Sequence, residues 1–85
     1  MTWEELKEEA KKMGYKQTEW NMADYIPQYR NSIFNIEVLR WRDFYYTKDG
    51  DVYYKPYGQY SPTKIKHVPY CEGYEKMLAI MKALQ

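Results

Sequence analysis

Tyrosine supplies eleven of the 85 residues, and this abundance constrains the fold more than any other feature of the sequence. A tyrosine ring combines a large apolar surface with a hydrogen-bonding tip, so a few rings fill much of a small core. The same ring also suits a surface that binds another molecule. The tyrosine content therefore supports both a stabilising and a binding interpretation, and the sequence alone leaves both open.

The length predicts a single domain over residues 1–85. A chain of this size buries roughly 60–65% of its unfolded surface, so its core is modest. Hydrophobic residues at 45% and charged residues at 29% are ordinary values for a globular protein, whereas 19% aromatic residues is high. We therefore expect a folded domain whose core depends on aromatic side chains.

The charge and cysteine content bound the setting in which the protein works. A net charge of +1 provides no long-range field to attract a polyanion, although no acidic residue occurs from Val52 to Cys71. Cys71 is the single cysteine, which fits a reducing compartment. The first residues lack the pattern of a secretion signal, and no apolar run approaches about 20 residues. These features predict a cytoplasmic protein without a membrane segment.

Both ends of the chain carry helical patterns. Thr2 and Glu5 have the spacing of a capping box, and apolar residues recur at helical spacing up to Met13. This predicts a helix over Trp3–Met13 that ends at Gly14 in a left-handed conformation. A second helix is expected from about Cys71–Gly73 to about Ala83. Its predicted buried stripe comprises Tyr74, Met77, Leu78, Ile80, Met81 and Leu84.

The segment after the first helix gives a weak pattern. Between Tyr15 and Asn31 the aromatic residues recur at mixed spacing, and Pro27 prevents a helix through its own position. We interpret this segment as a loop with a short turn of helix, from which Trp20 inserts into the core.

The middle of the chain favours β-structure. Residues Ile33–Tyr46 are rich in β-branched and aromatic types, but neither face of a continuous strand is cleanly apolar. A bulge near Leu39–Arg40 would reconcile the two faces, and a helix over Ser32–Trp41 is the alternative.

A hairpin and a further strand follow. Asp49-Gly50 predicts a tight turn that joins strands Phe44–Thr47 and Asp51–Lys55. Alternation over Lys64–Val68 predicts another short strand. The expected fold is therefore α+β, with a small antiparallel sheet packed against an N-terminal and a C-terminal helix and its other face open to water.

A tyrosine-rich, weakly basic surface is the main candidate for binding. Adjacent tyrosines at the hairpin direct one ring to each face of the sheet, so some rings are expected to reach solvent. The candidate partner-binding residues are Arg40, Arg42, Tyr53, Tyr54, Lys55, Tyr57 and Tyr60. The alternative is that cross-strand tyrosine pairs only stabilise the sheet, by roughly 0.2–1 kcal/mol each.

Basic residues offer two weaker signals. Arg40 and Arg42, one strand step apart, would share a face and could clamp an anion, unless Glu37, Asp43 or Asp51 neutralises them. The alternation Lys64–His67 is typical of a phosphate-contacting edge, and also of an edge strand protected by lysine against aggregation.

Nothing in the sequence indicates catalysis. Cys71 and His67 lie four residues apart, but Pro69 between them interrupts helical spacing. One histidine and one cysteine are fewer ligands than a zinc site uses, and no glycine-rich phosphate loop occurs. We expect neither an enzyme nor a metal or other cofactor.

The sequence therefore favours a small protein-binding module, such as an adaptor or an inhibitor of a larger complex, with homodimerisation as a variant. The alternatives are single-stranded nucleic-acid binding through tyrosine stacking, and a functional surface elsewhere, for example on the first helix. The small size and the helix–sheet–helix order resemble accessory proteins of bacteria and phages, although no specific residues carry that resemblance.

Overall fold

Two helices and five strands form the fold in a computed structural model that describes residues 1–21 and 35–85, apart from the side chain of Tyr70. A 3₁₀ turn at Tyr70–Glu72 precedes the second helix. In chain order the elements are α1 (Trp3–Lys12), β1 (Lys16–Asn21), β2 (Asn35–Trp41), β3 (Phe44–Thr47), β4 (Asp51–Tyr54), β5 (Thr63–His67) and α2 (Gly73–Leu84). The predicted α+β class is confirmed.

Local capping contacts define both ends of α1. The Glu5 amide donates to Thr2 Oγ1 at 3.2 Å, and the Thr2 amide donates to Glu5 Oε1 at 2.8 Å. This is the predicted capping box, which satisfies two backbone donors that a helix start leaves unpaired. Gly14 has φ 94°, and the Tyr15 amide then donates to the Ala10 carbonyl at 3.0 Å. The predicted left-handed end of the helix is therefore confirmed.

The two helices lie side by side and run in the same direction. The amino group of Met1 bonds Glu75 at 2.7 Å at one end, and the Gln85 side chain bonds the Met13 carbonyl at the other. Met77 and Met81 are the buried residues of α2. The predicted stripe is therefore correct at its centre, but Leu84 is exposed because it lies in the last turn.

The sheet is an antiparallel meander in the order β1-β2-β3-β4-β5. The turn between β3 and β4 has φ 92° at Gly50, whose amide donates to the Thr47 carbonyl at 3.1 Å. The predicted hairpin and the strand near Lys64 are both confirmed. Because β1 and β5 are the outer strands, each leaves one edge of the sheet unpaired in the described residues.

Strand β1 corrects the prediction of a loop after the first helix. All its side chains except that of Trp20 are exposed, so an edge strand of this kind shows no apolar alternation. Trp20 is buried as expected, but it projects from a strand. Predictions for residues 22–34 lie outside the described residues, and 35–41 form a strand rather than the alternative helix.

The predicted bulge at Leu39–Arg40 is also wrong. Both residues pair in continuous register with β1 and with β3. A two-residue turn at Arg42–Asp43 instead starts a new strand, and the register shift lies between Val52 and Tyr53, opposite β5. No bulge is needed because both faces of β2 pack against apolar groups.

Each face of the sheet carries its own apolar cluster. The face that the helices cover holds the main cluster, whose buried residues are Trp3, Leu6, Ala10, Tyr15, Leu39, Tyr46, Val52, Met77 and Met81. The opposite face holds a second cluster, whose buried residues are Trp20, Val38, Tyr45 and Tyr53. The expectation that this face stays open to water is therefore wrong.

Aromatic side chains pack against one another in the second cluster. The Trp20 ring lies 4.6 Å from the ring of Tyr45 and 5.4 Å from that of Tyr53. The cationic groups of Arg40 and Lys64 lie over the same two tyrosines at 5.6 and 5.9 Å. Aromatic pairs of this kind contribute about 0.5–1.5 kcal/mol beyond the area that they bury.

A polar contact joins α1 to the sheet. The Trp3 indole and the Lys7 ammonium donate to Glu37 Oε2 at 2.8 and 2.9 Å. These donors stabilise the charged carboxylate and lower the pKa of Glu37. Glu37 is thereby engaged by the helix rather than by an arginine of its own strand.

Candidate partner-binding surface at one end of the sheet

The β2–β3 turn and the β4–β5 loop lie at the same end of the sheet. The Lys55 amide, at the start of the loop, donates to the Asp43 carbonyl of the turn at 2.8 Å. Beside this bond the rings of Phe44 and Tyr54 lie 5.4 Å apart. The two connections therefore form one continuous surface, which we call the tyrosine end.

A tight turn displays Tyr57 at the tip of the β4–β5 loop. The Gln59 amide donates to the Pro56 carbonyl at 3.1 Å, and Gly58 has φ 91°. A Cβ on Gly58 would meet no atom within 4 Å, so glycine is required there by the backbone conformation and not by space. Tyr57 occupies the position before it and is fully exposed.

The Gln59 side chain holds the rest of this loop. Its amide donates to the Ser61 carbonyl at 2.6 Å and to Thr63 Oγ1 at 3.0 Å. The loop is thereby tied to the first residue of β5. Tyr60, between these contacts, is 74% exposed.

The structure separates the predicted tyrosines into two groups. Tyr57 and Tyr60 are exposed in the loop, and Tyr54 is 37% exposed at the end of β4. Tyr53 is only 2% exposed because it packs in the second cluster. The expectation that its ring protrudes into solvent is wrong, whereas the prediction of one ring on each face is confirmed by Tyr45, in the second cluster, and by Tyr46, in the main one.

The prediction that Arg40 and Arg42 share a strand face is wrong. Arg42 lies in the turn, and its carbonyl accepts a 2.9 Å hydrogen bond from Arg40 Nε. The Arg42 guanidinium lies 5.5 Å from the Trp41 ring centre, on the helix-covered side, while Arg40 lies over Tyr45 on the other side. A clamp built from one strand step is therefore contradicted, because the strand ends at Trp41.

The expected neutralisation of these arginines is also absent. Within the described residues, no carboxylate lies within 4.0 Å of a charged nitrogen of Lys16, Arg40 or Arg42. Glu37 is paired with Lys7 at 2.9 Å. Asp51 lies 2.7 Å from His67 Nδ1 and 3.5 Å from Lys64 Nζ.

A recess of about 260 Å³ at the tyrosine end is lined by Lys16, Arg40 and Arg42, together with Gly14 and Trp41. Lys16 enters the recess because it pairs with Arg40 across β1 and β2. Lys16 was not among the predicted site residues, since its pairing with Arg40 depends on a strand that the local sequence pattern does not reveal.

Arg42 has a backbone conformation that L-residues avoid. Its φ is 53°, and among the described residues it is the one non-glycine residue with positive φ. The left-handed region costs an ordinary side chain about 1–2 kcal/mol relative to glycine. The turn would therefore accommodate glycine more easily than the arginine that occupies it.

A larger groove of about 840 Å³ lies at the opposite end of the sheet, between the starts of both helices and the β3–β4 turn. Trp3, Val68 and Tyr74 contribute apolar walls, and the Tyr74 hydroxyl donates to the Lys48 carbonyl at 2.7 Å. None of the predicted partner-binding residues lines this groove.

The chemistry near Cys71 differs in one respect from the sequence analysis. Asp51 holds the His67 ring, so an acid does orient this imidazole, which the sequence analysis did not find. Cys71 itself is exposed. Across residues 1–21 and 35–85, no three His, Cys, Asp or Glu side chains group closely enough to hold a metal ion.

In the described part of the chain, neither helix has the length and apolar character needed to cross a membrane.

Three comparisons with known proteins bear on identity. Comparisons with models of protein families, with curated proteins and with solved structures found no match. The function must therefore be argued from the surface of the chain itself.

Proposed function

We propose that the protein is a non-enzymatic binding module that contacts a partner protein through the tyrosine end. Tyr57 and Tyr60 supply the apolar anchors of the contact. Tyr54, Lys55 and the two arginines surround them as a partly polar rim. A module of this size would act as an adaptor or as an inhibitor of a larger complex.

The exposure of Tyr57 is the observation that carries this proposal. Tyr45, Tyr46 and Tyr53 bury their rings in the sheet and so stabilise the fold, but a fully exposed ring does not. Burying such a ring at an interface gains about 1.5–3 kcal/mol. A stabilising role therefore accounts for Tyr45, Tyr46 and Tyr53, while Tyr57 is available to a partner.

The bracing of the loop supports the same conclusion. Association normally requires ordering flexible side chains and loops, which weakens binding. Here the turn at Pro56–Gln59 and the two hydrogen bonds of the Gln59 amide hold the backbone before any partner arrives. Tyrosine adds a large contact area with few rotatable bonds, and it is enriched among the residues that dominate interface energies.

Two observations favour a protein partner over single-stranded nucleic acid. The net charge is only +1, whereas nucleic-acid binders are usually strongly basic. A sheet that stacks bases needs exposed rings on its strands, but Tyr45 and Tyr53 are buried. Nucleic-acid binding stays as the alternative to be tested.

The test is affinity capture from a lysate of the source cells by the immobilised protein, followed by mass spectrometry. We expect a defined protein to be retained with and without nuclease, and to be lost from the Tyr57→Ala/Tyr60→Ala variant. Loss of about 2 kcal/mol or more, as at dominant interface residues, corresponds to roughly 30-fold weaker binding. The matched control is Ile65→Ala/Leu84→Ala, which truncates two other exposed apolar residues.

Each alternative predicts a different result. Equal capture by the tyrosine variant and by the wild type would contradict the proposal. Capture that nuclease abolishes, with an affinity that falls steeply with added salt, would indicate nucleic acid instead, because binding to phosphates releases counterions. Thermal melts of each variant show whether the fold is retained.

A further inference from the structure

We propose that the recess formed by Lys16, Arg40 and Arg42 binds carboxylate groups, so that the partner presents a short acidic segment to the tyrosine end. This inference rests on the proposed function and names the chemistry of the partner. It adds Lys16 to the binding surface, and it joins the two arginines through the recess rather than through a shared strand face.

The hydrogen bonding of Arg40 prepares it to bind an anion. Its Nε donates to the Arg42 carbonyl at 2.9 Å, which fixes one edge of the guanidinium. A guanidinium carries five N–H donors, so the terminal nitrogens remain to donate to a carboxylate. Arg40 is exposed, and the described residues place no acidic side chain within ion-pair distance of it.

Gly14 and Trp41 shape the recess between the cations. A Cβ on Gly14 would lie 3.3 Å from Cζ3 of Trp41, so a larger residue there would press on the indole. The Trp41 ring in turn supports the Arg42 guanidinium, whose carbon lies 5.5 Å from the ring centre. Stacking of this kind orients a guanidinium while leaving its N–H edges available to an anion.

The charges elsewhere define the size of the ligand. Lys7, Lys12 and Lys64, in contrast to the recess residues, each contact a carboxylate. The recess is therefore a small positive area on a chain that is nearly neutral. Such an area attracts one or two carboxylates of a short acidic segment.

The backbone of the turn does not favour arginine at position 42, and the contact of its guanidinium with the Trp41 ring leaves the N–H groups without a carboxylate from the described part of the chain. The φ of 53° at Arg42 favours glycine, and its side chain has no ion-pair partner among the described residues. A guanidinium held in an unfavourable backbone conformation is explained if it binds a ligand, since strained residues concentrate at binding sites.

The test is a titration of the isotope-labelled protein with a hexaglutamate peptide, followed by amide chemical shifts in NMR spectra. We expect saturable shifts at Gly14, Lys16 and residues 40–43. The Arg40→Ala/Arg42→Gly variant should weaken binding about tenfold, since two exposed charge pairs together correspond to about one decade of affinity. Lys66→Ala/Lys76→Ala removes the same charge elsewhere and should bind as the wild type does.

Thermal melts separate a binding role from a structural one. Arg42→Gly relieves the positive φ, so its melting temperature should equal or exceed that of the wild type while peptide binding falls. Shifts scattered over distant lysines, or equal binding by the arginine variant, would overturn the inference. Tighter binding of a thymidine dodecamer than of hexaglutamate at physiological salt would also overturn it and favour nucleic acid. Because hexaglutamate has no aromatic or aliphatic anchor for Tyr57 and Tyr60 to contact, this test can fail or succeed independently of the proposed function.

Discussion

The tyrosines inside β3 and β4 and those of the β4–β5 loop occupy opposite environments, and Tyr54 at the end of β4 lies between the two at 37% exposed. Tyr45, Tyr46 and Tyr53 are at most 8% exposed, and each packs against another ring or apolar side chain of the sheet. Tyr57 and Tyr60 are mostly exposed, and they lie on a turn that the backbone and Gln59 hold in place. One residue type therefore serves the core in one region and the surface in the other.

This contrast shows why tyrosine content alone leaves the function open. On a strand, adjacent tyrosines point to opposite faces, and both faces of this sheet carry buried clusters. In the loop no neighbouring strand is available to cover the ring. The stabilising interpretation therefore accounts for the buried tyrosines, and the proposed binding would use the exposed ones.

The largest expected difference between the two regions is in stability. Tyr53→Ala should lower the free energy of unfolding by about 3–5 kcal/mol, because it removes a ring from the second cluster and leaves a cavity. Tyr57→Ala should change it by less than about 0.5 kcal/mol, as expected of a surface substitution. Urea denaturation followed by tryptophan fluorescence measures both values.

Similar losses of unfolding free energy in the two variants would refute the separation of the tyrosines into a buried group and an exposed group. A small loss for Tyr53→Ala would mean that the second cluster adds little to folding. A large loss for Tyr57→Ala would mean that the loop ring supports the core, which would remove the main support for the proposed function.

Local signals made much of the fold predictable. The capping box at Thr2 and Glu5, the left-handed Gly14 and the turn at Asp49-Gly50 depend on a few neighbouring residues. Each of them is present in the structure as predicted. Tyr57, one of the predicted partner-binding residues, is exposed in the structure, although whether it binds a partner stays a prediction.

The incorrect predictions concern features that depend on contacts between distant parts of the chain. Strand β1 is recognisable only through its pairing with β2, because its own side chains are mostly polar. The turn at Arg42 lacks a glycine, so no local signal indicates that β2 ends at Trp41. Burial of Tyr53 follows from Trp20, which approaches from a strand that is far away in the sequence.

A smaller effect distinguishes two hydroxyl groups within the buried set. The Tyr15 hydroxyl donates to the Met81 carbonyl at 3.0 Å, so Tyr15→Phe should destabilise by about 1 kcal/mol. The Tyr46 hydroxyl is buried near the Tyr15 hydroxyl but makes no hydrogen bond of good geometry in the described structure, and burial raises its pKa. Tyr46→Phe should therefore be neutral or stabilise by up to about 1 kcal/mol.

Calorimetry on the two phenylalanine variants measures this difference. The rings of Tyr15 and Tyr46 pack together with their centres 5.7 Å apart. Because the rings stay in place in both variants, the comparison isolates the effect of each hydroxyl. A clear loss for Tyr46→Phe would show that its hydroxyl finds a partner in solution. The main cluster would then depend on a polar contact as well as on apolar packing.

The smallest stability effect is expected in the loop, where Gln59→Ala removes two exposed hydrogen bonds. The free energy of unfolding should change by less than about 0.5 kcal/mol. The backbone of residues 57–61 should nevertheless become more mobile, with NMR order parameters falling from about 0.85 towards 0.6. Gln17→Ala, which removes an exposed glutamine from β1, is the control and should leave the loop unchanged.

If the loop stayed rigid without Gln59, the turn at Pro56–Gln59 alone would order it. If it became mobile and partner binding weakened as well, the bracing by Gln59 would be part of how the exposed tyrosines bind.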